Sequence, residues 1–261
     1  GHLFTGYARQ PEGGTVEDEL IGALEGAGIV EGPKEASFAS ASRVDRGVSA
    51  VSAAAAFDTH VPSGRILRSL NARTASLVAH SMCPVEGGFD PRREASQRWY
   101  RYHYGPGEGT GGLDVPAMRE AARAFVGEHD FSAFARVEDR DPVRTVLDVV
   151  VERGSGSLVL DVRGQSFLWN QVRRMATAIR DVGAGRIPVE AIRRALEDGE
   201  GGPFPPAPPT GLFLMDVVFE GLGFERADDL PRGTLERLRG SYHQGLCSVR
   251  FHEYLMGSVR F

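Results

Sequence analysis

Lysine is almost missing from this 261-residue chain: Lys34 is the one lysine among 30 basic residues, and all the others are arginine. Arginine's planar fork suits bidentate phosphate contacts and stacking on bases, although an arginine-rich genome would account for the bias equally well. Cysteine is scarce too. Cys83 and Cys247 lie far apart with no CxxC spacing, which argues against a disulfide framework and a structural zinc site and leads us to expect two buried free thiols. The seven histidines show no HxxxH or HExxH arrangement, so no metal is expected. No apolar run approaches the length of a membrane span, and no cationic leader precedes a hydrophobic stretch. The expectation is therefore a soluble protein of the cytoplasm. Low-complexity segments and sequence repeats are also absent.

The formal net charge is -5, so the field of the whole molecule repels nucleic acid. The acid excess is concentrated in residues 106–225. Any surface that binds nucleic acid must be a local basic cleft on an acidic body, and charge alone does not locate it. Hydrophobic content of 41% is enough for one large core or two modest ones, and the length favours two.

Thr15-Val16-Glu17-Asp18 reads as a helix entrance with acid in its first turn, and the helix runs to about Gly28 with Val16, Leu20 and Leu24 as its apolar stripe. Arg43 to Gly47 forms a turn that opens into a strand through Phe57, and Leu77 to Val85 is a second strand-like run. In Trp99-Tyr100-Arg101-Tyr102-His103-Tyr104, period-two alternation puts three tyrosines on one face and Trp, Arg and His on the other. Gly105 to Gly112 reads as a linker, and the domain boundary is placed there, giving halves 1–105 and 113–225 and an extension, 226–261, with a helix around Leu235 to Leu238. Past the linker, Pro116 opens a helix that ends at Gly127. Val146–Val151 and Leu158–Val162 read as a hairpin. Leu168, Val172, Met175, Ile179 and Val182 form the buried seam of a helix, with Arg173, Arg174 and Arg180 off it. A helix from Pro188 to about Asp198, a Pro-rich loop and a strand Leu212–Phe219 follow. This order predicts an α+β fold: two similar subdomains, each a mainly antiparallel sheet backed by helices, with a catalytic cleft between them.

Arg43-Val44-Asp45-Arg46-Gly47-Val48 sets a carboxylate between two guanidiniums, and alone it reads as a solvated surface turn. Other segments change that reading: Gly6-Tyr7-Ala8-Arg9-Gln10 with Thr15-Val16-Glu17, Arg98-Trp99-Tyr100-Arg101-Tyr102, Gly127-Glu128-His129-Asp130-Phe131, Phe167 with Val172-Arg173, and Gly211-Leu212-Phe213-Leu214. In this order, over roughly residues 6–220, they resemble the tRNA pseudouridine synthase family of the TruA type. The resemblance implies an isomerase without cofactor or metal that acts on tRNA as a homodimer. Its target would be the anticodon stem-loop, at tRNA positions 38-40. It places the nucleophile at Asp45, because moving uracil from an N- to a C-glycosidic bond calls for a carboxylate at the sugar or base. It further implies that Tyr100 stacks on the target base and acts as acid or base, and that Arg173 pairs with Asp45 and keeps it ionised. Arg43 would fill the place of the extruded nucleotide, and Arg9, Arg46 and Arg174 would contact phosphates.

Two departures stand out. The family's usual Gly-Arg-Thr-Asp-Ala-Gly-Val-His appears as Ser42-Arg43-Val44-Asp45-Arg46-Gly47-Val48-Ser49, so a hydroxyl is lost at Val44 and a cation gained at Arg46. The chain also starts in the turn that normally follows a first strand, while Met256 to Phe261 reads like a start methionine and such a strand. The expectation is that this segment takes the missing strand's place, as in a circular permutation. Two rivals remain. Gly107-x-Gly109-x-x-Gly112 satisfies a dinucleotide fingerprint, though no acidic residue is placed on a following parallel strand and the next segment is a helix leading to Phe131, not a strand. A non-catalytic tRNA-binding or RNA-chaperone protein on the same fold is the stronger alternative.

Overall fold

The computed structural model describes residues 1, 3–105, 112–153, 157–199, 201–227 and 230–258, with side chains through 252. In chain order the elements are α1 (Val16–Gly26), β1 (Ala39–Ser40), β2 (Ser49–Ala50), β3 (Ala55–Ala56), α2 (Ser63–Asn71), β4 (Ser81–Met82), α3 (Pro91–Glu94) and β5 (Gln97–Tyr104). There follow α4 (Val115–Arg123), β6 (Gly127–Asp130), β7 (Val143–Arg153), β8 (Leu158–Gly164), α5 (Gln171–Gly183), α6 (Val189–Glu197), β9 (Leu212–Val218), β10 (Glu225–Arg226) and α7 (Arg232–Ser258). Single 3-10 turns lie at Ser132–Phe134 and Pro209–Gly211. The fold is α+β and rich in antiparallel sheet.

Contacts divide the chain into two units. The first comprises Gly1–Glu17, Phe38–Phe57 and Gly88–Gly221; the second comprises Asp18–Ser37, Asp58–Gly87 and Leu222–Phe261. These boundaries fall elsewhere than at 105–113. Most of that linker, including Gly107 and Gly109 of the fingerprint, lies outside the described residues.

The first unit is built on a six-stranded sheet in the order β2-β9-β5-β8-β7-β6. Only the β2–β9 pair is parallel, with Ser49 opposite Phe213 and Ala50 opposite Leu214. On central β5, Arg98, Tyr100, Tyr102 and Tyr104 are buried while the alternate residues are half-exposed, as the period-two pattern requires. The Tyr104 hydroxyl donates to the carbonyl of Ala176 on α5 at 2.9 Å. Val172, Met175, Ile179 and Val182 are all buried, each contributing about 1.5–3 kcal/mol. Arg173, Arg174 and Arg180 lie off that stripe and are half-exposed. β7 and β8 pair antiparallel, as the expected hairpin requires, with a register shift between Val146 and Asp148.

Several expectations need correction. The strand expected through Phe57 is two short pieces with different partners: β2 joins the sheet beside β9, and β3 pairs with β1. Only Ser81–Met82 of the run 77–85 is strand, paired with β10 in the second unit. Gly127 opens β6 at φ +116° instead of only closing a helix, so a strand does stand before Phe131; it is an antiparallel edge strand. Met256 to Ser258, expected to open a strand, are the last turn of helix α7, and residues 259–261 lie outside the described ones. Both cysteines are free thiols but neither is buried: Cys83 is half-exposed, and Cys247, on helix α7, is exposed. Among the described residues no helix is long and apolar enough to cross a membrane, and no group of His, Cys, Asp or Glu is placed to hold a metal.

Candidate active site

Asp45 opens a tight turn between β1 and β2, closed by the Val48 amide donating to the Asp45 carbonyl at 3.0 Å. Gly47 is its third residue at φ +87°, a conformation that L side chains resist, and a Cβ there would stand 3.1 Å from Cγ of Pro209. Three further contacts hold the approach to the turn. The Tyr7 amide donates to the Val44 carbonyl at 3.3 Å, the Ala41 amide to the Ala54 carbonyl at 2.9 Å, and Arg98 Nη2 to the Ala41 carbonyl at 3.1 Å. The Gly6-Tyr7 landmark therefore acts on the turn directly.

Arg173, on the first turns of α5, meets this carboxylate: its Nη1 lies 3.1 Å from Asp45 Oδ2. The same nitrogen donates to Asn170 Oδ1 at 2.8 Å, and Nε donates to the Ala207 carbonyl at 2.6 Å. Three fixed acceptors spread over one guanidinium leave it little freedom to move. Asn170 precedes the helix at φ +63°, a left-handed position that asparagine tolerates better than most residues. The Arg173 side chain is 14% exposed and that of Asp45 32%, so the cation is fixed in the protein while the anion reaches solvent. Oδ1 of Asp45 accepts no hydrogen bond from the described residues.

Tyr100, on β5, lies close enough for the Asp45 charge to act on its phenol. Its pKa is pushed up to about 12, first by burial; Arg98 opposes the rise, Asp45 adds to it, and a side-chain hydrogen bond with Ser42 opposes it. The ring meets Phe167 edge to face at 5.4 Å between centroids. Arg98 is in phase with the buried tyrosines, and a buried cation needs acceptors. It finds four carbonyls, those of Ala95, Gln165, Ala41 and Arg92. Burial lowers its pKa, the first of several effects. Arg98, Ser42 and Asn170 were not singled out from the sequence as site residues. For Arg98 a signal was there, an arginine on the tyrosine side of an alternating strand.

The remaining arginines separate. Arg43 and Arg46 flank Asp45 and are exposed, and Arg9 is exposed with its amide donating to Glu17 Oε2 at 3.0 Å. Arg174 does not join Asp45. It turns to the Pro-rich loop, donating to the Phe204 carbonyl at 2.6 Å, and it lines a separate concavity.

Relatives align with this chain over most of their length. A family model described as tRNA pseudouridine synthase matches residues 121–220, which include Arg173 but neither Asp45 nor Tyr100. A tRNA pseudouridine synthase A of Thermococcus kodakarensis is 43% identical over 230 residues, 86% of this chain and 84% of its own. Proteins of the same name from Methanoculleus marisnigri and Pyrococcus abyssi are 41% and 37% identical, covering 97% and 99% of this chain and 92% of each of theirs. Those alignments span the Asp45 turn and β5 as well as α5, and the chain thereby belongs to the tRNA pseudouridine synthase family of isomerases, in its tRNA pseudouridine synthase A branch.

Proposed function

We propose that this chain converts uridine to pseudouridine in the anticodon stem-loop of tRNA, at positions 38-40, with Asp45 as the nucleophile, and that it works in the cytoplasm as a homodimer. The family supplies the substrate class. The observation that carries the chemistry is the carboxylate of Asp45, held through Oδ2 by Arg173 at 3.1 Å and open at Oδ1.

The reaction breaks the bond from ribose C1′ to uracil N1 and makes one from C1′ to C5. N1 gains a proton and C5 loses one, so the product is an isomer and the step balances without an oxidant or reductant. A carboxylate whose one oxygen is pinned and whose other is free can approach the sugar or base while the detached uracil turns. With its pKa near 12, Tyr100 is neutral at physiological pH. It is suited to donate a hydrogen bond or a proton, whereas an effective general base titrates near the working pH. Exposed Arg43 beside the turn is placed to follow an extruded nucleotide, and exposed Arg9 and Arg46 to meet phosphates.

The test incubates the full chain with an unmodified tRNA transcript and maps pseudouridine by position. Turnover at positions 38-40 is expected, and Asp45→Asn should abolish it while tRNA binding persists. Equal turnover by Asp45→Asn removes the nucleophile assignment. Binding without any turnover by the parent chain favours the non-catalytic reading instead.

A further inference from the structure

Arg174 is half-buried, and no described residue supplies it with a counter-charge. Among the described residues it makes no ion pair, its Nε is buried with no hydrogen-bond partner, and its pKa is lowered by burial and by neighbouring Arg173. It lines an open concavity of about 450 Å³ in the first unit together with Ser132, Arg136 and Pro203. Among the described residues that line it there is no carboxylate. Glu138 stands 3.8 Å from Arg136, at the outer limit of an ion pair between two largely exposed side chains.

Beside this concavity stands Trp169. The residue is 44% exposed, and the Arg136 guanidinium lies over its ring at 4.3 Å from the centroid. The backbones bridge as well, the Arg136 amide donating to the Trp169 carbonyl at 2.9 Å. A large aromatic side chain left this exposed is unusual for a core residue, and here a cation fixes its orientation. Trp169 is the chain neighbour of Asn170, whose side chain holds the arginine that holds Asp45.

We propose that Trp169, Arg136 and Arg174 form a nucleotide subsite for the RNA strand next to the target uridine: a neighbouring base stacks on the indole, and its phosphate neutralises the two guanidiniums. Aromatic faces paired with arginine serve single-stranded and loop RNA in this way, because every base has a face to stack and every linkage an anion. Chain adjacency links the subsite to the catalytic site: Trp169 precedes Asn170 and Arg174 follows Arg173, the pair that holds Asp45. The inference rests on the function proposed above for its substrate, not for its chemistry.

The test measures binding of unmodified tRNA to the full chain carrying Asp45→Asn, which separates affinity from turnover. Trp169→Ala should weaken binding by about tenfold and Trp169→Phe should restore most of it, since stacking needs a ring and not an indole. Arg136→Ala and Arg174→Gln should each reduce the slope of log affinity against log salt by about 0.7–0.9. Arg136 is largely exposed, so its variant reports even where a Trp169 change disturbs folding. Affinity for Trp169→Ala within about twofold of the parent, or salt slopes that do not move, overturns the subsite. A parent chain that makes no pseudouridine yet shows these binding losses removes the catalytic assignment and leaves the subsite standing. Turnover by the parent with an unchanged KM for Trp169→Ala does the reverse.

Discussion

Replacing Arg173 by alanine tests the geometry of the site at its narrowest point. The charges sit 3.1 Å apart, and at an effective dielectric constant of about 20 Coulomb's law gives roughly 5 kcal/mol. Asp45 is 32% exposed, so water recovers part of that. Exposed pairs contribute about 0–1 kcal/mol, whereas breaking a buried pair costs about 3–5 kcal/mol. With one partner nearly buried and the other a third exposed, about 2–3 kcal/mol is the reasonable range. If that interaction is needed to hold Asp45 in its reactive position, kcat falls about 30- to 150-fold. Arg173 is too enclosed to be a principal phosphate contact, so tRNA affinity should change by less than about threefold. Arg173→Lys keeps a charge but cannot reach Asp45, Asn170 and the Ala207 carbonyl together, and should lose about tenfold in kcat. The assay is single-turnover pseudouridine formation at saturating enzyme, with circular dichroism to confirm folding. A kcat for Arg173→Ala within about threefold of the parent, with Asp45→Asn inactive, would show that the carboxylate works without its guanidinium and refute the reasoning.

Two further substitutions probe the supports of the same carboxylate. Gly47→Ala must carry a side chain at φ +87° with its Cβ 3.1 Å from Pro209; it should destabilise the chain by about 1–3 kcal/mol in urea unfolding and lower kcat further by displacing the turn. Unchanged unfolding and activity would mean that the turn adapts freely. Tyr100→Phe separates a structural consequence from a chemical one. The native phenol stays protonated to about pH 12 whereas an unfolded tyrosine ionises near 10, so its share of stability is intact below about pH 10 and is lost as pH rises towards 12. Between pH 9 and pH 11 the parent should lose roughly 1 kcal/mol more than Tyr100→Phe, and parallel stability curves would contradict the buried, neutral phenol.

Why some of this was legible in the sequence and some was not follows from where the information lies along the chain. The alternation of β5, the seam of α5 and the β7–β8 hairpin are local patterns, written within about ten residues and imposed by the pitch of each element. The Ala53-Ala54-Ala55-Ala56 run has no polar residue to mark one face, so periodicity could not show where it breaks or that β2 leaves it for a strand more than 160 residues on. Asp45 and Arg173 were brought together by family resemblance rather than by any pattern, since neither flanking segment names its partner. What the resemblance did not supply was the scaffold: Arg98 tying the turn to β5 through the Ala41 carbonyl, and Asn170 fixing the guanidinium from a left-handed position. The same reasoning bears on the two tryptophans. Trp99 donates its indole N–H to the enclosed Asp161 at 2.6 Å, and Arg101 and Arg163 stand over its ring. Trp169 has Arg136 alone over its ring and remains 44% exposed. Two residues of one type, both beside arginines, thus diverge in how far their surroundings cover them, and it is the exposed one that stands next to the carboxylate's own support.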